Sequence, residues 1–140
     1  MDSINWDELN EDTVPKFSLN GITVIAKVTS VYDGATVKMC FGFNGNMYIW
    51  NCRLKGVDTP EIDRNVKEKE YGYKVRDELR KLILGKVFKV RCEEFDKYGR
   101  LLVNISIDNL QTVSDWLLKN DYAFKYDGGT KRDWEKYLNN

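Results

Sequence analysis

The 140-residue chain of 16.4 kDa is 42% hydrophobic and 13% aromatic, which suits one domain with a buried core and excludes a disordered chain. Its 22 basic and 22 acidic residues cancel, which argues against bulk electrostatic binding of nucleic acid. The absence of histidine excludes Ser-His-Asp and Cys-His nucleophiles and histidine zinc sites, so acid–base chemistry must fall to carboxylates, lysine or tyrosine.

The chain opens on an acidic arm. Residues 1–20 hold Asp2, Asp7, Glu8, Glu11 and Asp12 against Lys16, a net of −4, which leaves +4 on residues 21–140. A solubilising arm over 1–20 and a mildly basic domain over 21–140 are expected. The start "MDSINWDELN" has neither a basic region nor an apolar stretch, so no signal peptide is read. No segment reaches membrane-spanning length. Cys40, Cys52 and Cys92 lack C-x-x-C spacing and sit in apolar runs, where reduced, buried thiols are expected. Together these features imply an intracellular, reducing setting with no membrane partner.

"GITVIAKVTSVYD" is rich in β-branched residues and predicts a long strand. "TVKMCFGF" and "MYIWNCRL" predict two more, joined by a hairpin at "NGN", residues 44–46. Alternation puts Tyr48, Trp50, Cys52 and Leu54 on one face and Arg53 on the other. From Lys67 to Leu84 the period changes: Tyr71, Val75, Leu79, Leu82 and Ile83 mark an amphipathic helix stopped by Gly85, with Gly72 blurring its start. "KVFKVRCEEF" and "RLLVNISI" predict strands joined by "DKYG". Thr112 and Asp115 suit a capping box for a short helix carrying Val113, Trp116 and Leu117. After the break "YDGGTK", a last helical turn or two is expected around Trp134 and Leu138. Five strands with a helix after the third predict an α+β, mainly β, domain: a five-stranded OB-fold Greek-key barrel with about three helices. A split β-sheet with packed helices fits the pattern nearly as well.

Three polar strings lie at strand ends: "YDGAT" (32–36), "RLKGVDTPEID" (53–63) and "DKYGR" (96–100). Singly, each reads as a turn, with Gly34 and Pro60 as the turn residues. Together, Arg53, Asp58, Glu61 and Arg100 combine carboxylates that could hold a hard cation or activate water with guanidiniums suited to bidentate phosphate contact. That set suits attack on a phosphodiester.

Over roughly residues 20 to 126 the chain resembles the staphylococcal nuclease (thermonuclease-like) family. The resemblance rests on Asp33-Gly34-x-Thr36-Val37, Arg53, Val57-Asp58-Thr59-Pro60-Glu61, Tyr71-Gly72 and Asp96-Lys97-Tyr98-Gly99-Arg100, in the family's order. It implies calcium-dependent hydrolysis of DNA and RNA; a preference for single strands and a monomeric unit are expected besides. It further implies that Asp58 ligates Ca²⁺ together with the Thr59 carbonyl, with Asp33 in an outer shell. Glu61 would act as general base, Arg53 and Arg100 would clamp the phosphate, and Lys97 and Tyr98 would lie beside the terminal phosphate and nucleotide. Tyr126 is the candidate for base stacking, while Tyr122 and Phe124 are expected to pack against the barrel.

At one position the chain departs from the family. Its first string is Asp-Gly-Asp-Thr, and the second Asp is a calcium ligand; this chain has Ala35, whose methyl supplies no oxygen. Weakened metal binding and reduced activity are expected unless Asp33, Asp63 or substrate phosphate substitutes. The competing reading is an OB-fold module that holds single-stranded nucleic acid without cutting it.

Overall fold

The computed structural model describes residues 3–63, 66–129 and 131–139; Met1, Asp2, Arg64, Asn65, Thr130 and Asn140 lie outside the described residues. Five long strands, β1 (Thr23–Val31), β2 (Thr36–Phe43), β3 (Asn46–Leu54), β5 (Val87–Phe95) and β6 (Leu101–Ser106), close a barrel in the order β1-β2-β3-β6-β5. Closure decides for the barrel over the split sheet. Two short strands, β4 (Val57–Asp58) and β7 (Phe124–Lys125), form a separate antiparallel pair that the residue pattern did not disclose. Helices α1 (Val66–Ile83), α2 (Val113–Lys119) and α3 (Trp134–Leu138) complete the domain. Among the described residues, no helix is long and apolar enough to cross a membrane.

The expected turn signals act locally. Asn44 and Gly45 both take positive φ, and Phe43 pairs with Asn46, so the β2–β3 hairpin turns on two residues. Gly85 ends α1 at φ +77. Thr112 and Asp115 form the reciprocal capping box that starts α2. Gly72, which blurred the expected start of α1, lies inside that helix. A Cβ there would meet the Pro60 carbonyl oxygen at 2.9 Å and that of Glu61 at 3.1 Å. Glycine is required by the close approach of the helix to the acidic turn, not by a helix boundary.

Alternating residues of the barrel strands fill the core, among them Val28, Val37, Met39, Phe41, Cys52, Leu101, Val103 and Ile105; Val75, Leu79 and Ile83 of α1 join them. The expected arm boundary at residue 20 shifts under this packing. Leu19 is buried in the core, and Phe17 meets Phe43 and Phe95 edge-on or tilted. The arm that stands away from the barrel therefore ends before Phe17. Within it, Trp6–Glu8 forms one 3-10 turn with no buried residue. Cys52 and Cys92 are buried free thiols and Cys40 is half-buried. Burial pushes the Cys52 thiol up to about 12, so it stays protonated.

Candidate active site

The parallel pairing of β3 with β6 brings the two arginines to one side of the barrel. Arg53 is opposite Leu102, and Cys52 opposite Leu101. Cys52, Leu54, Leu101 and Val103 point into the core. Alternation therefore turns Arg53 outward, and Arg100, two residues before Leu102, leaves on the same outer side. Both line a cleft of about 1050 Å³, together with Glu61, Asp63, Lys97 and Tyr98. Asp33, Tyr126 and Lys131 line it as well.

Each arginine is held from its own strand end. Arg53 Nη1 donates to Thr36 Oγ1 at 3.1 Å, on the adjacent β2. Arg100 Nε donates to Asp96 Oδ2 at 2.8 Å, while the amides of Tyr98 and Arg100 donate to Asp96 Oδ1 at 2.8 and 2.9 Å. Burial by itself would raise the Asp96 carboxyl. The two amides and the guanidinium outweigh it and hold Asp96 below the usual carboxylate range. The Arg100 and Lys97 cations both lie over the Tyr98 ring, at 5.3 Å from its centroid, and Tyr98 itself is 73% exposed.

Asp58 sits under the cleft. It is only 2% exposed; its Oδ2 accepts from Trp134 Nε1 at 3.2 Å, and its Oδ1 lies 3.7 Å from Lys131 Nζ. Burial pushes its carboxyl up, opposed by Lys131, by the Trp134 hydrogen bond and by Arg53. Glu61, two residues past the buried Thr59, reaches the same ammonium, with Oε1 at 3.3 Å from Lys131 Nζ. The backbone of Glu61 is anchored separately, its N–H donating to Glu68 Oε2 at 2.9 Å from α1.

The first string folds as a side-chain-capped turn. Asp33 Oδ1 accepts from the amides of Ala35 and Thr36 at 2.9 and 2.8 Å. Ala35 is fully buried, with its carbonyl accepting from Leu54 N at 2.8 Å. Gly34 packs so tightly that a Cβ would meet Val75 Cγ1 at 2.7 Å and Thr59 Cβ at 3.0 Å. This turn is thus locked against both α1 and the Asp58–Thr59 segment.

A calcium ion takes six to eight oxygen ligands. Here Asp58 already faces an indole N–H and an ammonium, Asp33 Oδ1 caps a turn, and residue 35 ends in a methyl. Among the described residues, no three Asp, Glu, His or Cys side chains are grouped to hold a metal. The donor set does not fit a fully ligated calcium ion.

Of the aromatics after α2, Tyr126 lines the cleft, its amide donating to the Gly56 carbonyl at 3.0 Å beside the β4–β7 pair. Tyr122 packs with Trp116 and Tyr71, and Phe124 with Trp134 and Tyr137. Tyr122 also packs against the barrel core, as expected, whereas Phe124 meets side chains of α3 instead of the barrel wall.

Three residues contribute to the site without having been expected there: Glu68, Lys131 and Trp134, the last expected only as the centre of a terminal helical turn. Glu68 follows the acidic turn by seven residues. The other two act across 70 to 76 residues of chain, a separation with no local signal.

The family model described as "Staphylococcal nuclease homologue" matches residues 51–139, more than half of the chain. The chain belongs to the staphylococcal nuclease family. It is 30% identical over 138 residues to a probable endonuclease of Yarrowia lipolytica, covering 82% of this chain and 61% of that one. An uncharacterized protein of Methanocaldococcus jannaschii is 37% identical over 124 residues, covering 71% and 58%. A probable staphylococcal-like nuclease of Oryza sativa is 32% identical over 91 residues, covering 62% and 22%. The chain thus spans less than two thirds of the length of each of these relatives. The closed barrel with three helices agrees with the family's OB-fold.

Proposed function

We propose that this staphylococcal nuclease-family domain hydrolyses phosphodiester bonds of DNA or RNA, taking single strands in preference. The observation that carries the reading is the opening of Arg53, Arg100 and Glu61 into one cleft, beside the exposed Tyr98. The nuclease names of the relatives from Yarrowia lipolytica and Oryza sativa support it. In this reading the working unit is a monomer.

In this reading Arg53 and Arg100 bind the phosphate oxygens and stabilise the charge that grows on them in the pentacovalent transition state. Glu61 accepts a proton from a water whose oxygen attacks phosphorus; the bond to the leaving oxygen breaks, and that oxygen takes a proton from solvent. Lys97 approaches a terminal phosphate, and Tyr98 and Tyr126 offer faces to bases. Calcium, which the family resemblance implies, would draw only on Asp58 and the Thr59 carbonyl, with Asp33 outside them. Its affinity is accordingly reduced, and none of these roles passes through it.

A module that binds single strands without cutting them is the alternative. It is disfavoured by the balance of the cleft, where Arg53, Lys55, Lys97, Arg100 and Lys131 are matched by Asp33, Glu61, Asp63, Asp96 and Asp127. A non-cutting track gains from net positive charge. Incubation with labelled single-stranded DNA and RNA, with Ca²⁺ and with chelator, separates the two. Shortened products support hydrolysis, whereas retention of intact strands supports the binder.

A further inference from the structure

Lys131 sits between two carboxylates, and its placement follows from the C-terminal fold. β7 pairs with β4, so Phe124 lies opposite Asp58. The chain then passes Tyr126 and returns through residue 131 to α3, whose first residue, Trp134, is 3% exposed and donates to Asp58. This path sets Lys131 Nζ 3.7 Å from Asp58 Oδ1, 3.3 Å from Glu61 Oε1 and 5.7 Å from the centre of the Tyr126 ring.

We infer that the Lys131 ammonium is the resident cation of this site, standing between Asp58 and Glu61 where it excludes a divalent ion. The inference rests on the reading of Asp58 and Glu61 as the carboxylates of the site. Three independent features meet in it. Residue 35 supplies no oxygen and is buried, so the donor set is short of what a hard divalent cation requires. Asp58 is nearly inaccessible, and a buried carboxylate needs a counter-charge. Lys131 supplies that charge on a flexible stem and remains 37% exposed, so it is anchored from the solvent side and lies in the same cleft as Arg53 and Arg100.

An ammonium is a compact point charge with three N–H donors, and the two carboxylate contacts leave it able to donate to a phosphate oxygen as well. The chain therefore meets a phosphodiester with Arg53, Arg100 and Lys131, all parts of itself.

The test is metal binding, read apart from cleavage so that failure of the nuclease reading cannot mimic failure here. Thermal melting of wild type and Lys131→Gln is compared in chelator and in millimolar Ca²⁺. Wild type is expected to be unmoved by Ca²⁺, whereas Lys131→Gln melts lower in chelator and recovers with Ca²⁺, as linkage to a newly opened cation site requires. In parallel, calorimetric titration with Ca²⁺ compares Ala35→Asp with Ala35→Asp/Lys131→Gln. The double variant is expected to bind at least about tenfold more tightly, a loss of competition worth about 1.4 kcal/mol. Should Ala35→Asp not fold, the Lys131→Gln pair decides alone. Equal Ca²⁺ responses with and without Lys131, in every pair that folds, overturn the inference.

Discussion

The indole of Trp134 and the carboxylate of Asp58 meet across 76 residues, Nε1 donating to Oδ2 at 3.2 Å in a contact buried from solvent. The last helix is thereby fastened to the residue that the family resemblance assigns to metal. Trp134→Phe keeps the ring contacts with Phe124 and Tyr137 but removes the donor. Leaving one oxygen of a buried carboxylate unpaired costs about 1–3 kcal/mol. The variant is expected to unfold at lower urea, with an unchanged m-value.

Gly72→Ala should lower both stability and turnover. Alanine gains about 1 kcal/mol of helix propensity over glycine. That gain is opposed by a Cβ only 2.9 Å from the Pro60 carbonyl oxygen and 3.1 Å from that of Glu61, both backbone atoms that move only with the turn. Overpacking of this kind costs about 1–3 kcal/mol, so the net change is a destabilisation of about 1 kcal/mol. Because the displaced atoms carry Glu61, kcat falls by more than the stability loss accounts for. Kinetics measured well below the melting temperature check this.

Arg53→Lys is expected to cost activity with little change in stability. Lysine keeps the charge but not the fork that can grip Thr36 Oγ1 and a phosphate together. Loss of one charge-assisted contact in the transition state corresponds to about 1.5–3 kcal/mol, seen as a fall in kcat/KM of about ten- to a hundredfold. Steady-state rates on a single-stranded oligonucleotide are the measurement.

The Asp96–Arg100 turn predicts a pH dependence of stability. Asp96 is held below its ordinary 3.8 in the folded state, so its contribution is fully present above that value. It is lost as pH falls through the lower folded value. In Asp96→Asn the amide oxygen still accepts from Tyr98 and Arg100, but the charge is gone. Urea midpoints between pH 6 and pH 2 should therefore fall less steeply in the variant than in wild type.

Much of this arrangement is legible in the residues because its causes are local. β-branched alternation, Asn44-Gly45, Gly85 and the Thr112/Asp115 box act within a few positions and announce the barrel strands, the hairpin and α2. The three polar strings are also local, and barrel closure through β3 and β6 brings two of them together. The burial of Asp58 was not legible, since it depends on pairing with β7 and on Trp134. The role of Gly72 was equally hidden. It answers to backbone atoms of another segment, which periodicity along one helix does not record. Leu19 shows the same limit at the other end: a charge count places the arm through residue 20, whereas side-chain burial draws its last residues into the core.

Hydrolysis of phosphodiesters in this cleft requires Glu61 as the base. Initial rates of wild type and Glu61→Gln on single-stranded DNA and RNA, measured over a range of enzyme concentrations, test it most directly. Wild type is expected to cleave both, and Glu61→Gln to lose about a hundredfold or more in rate with substrate affinity retained. Equal cleavage rates for the two proteins, or no cleavage by wild type, would contradict it.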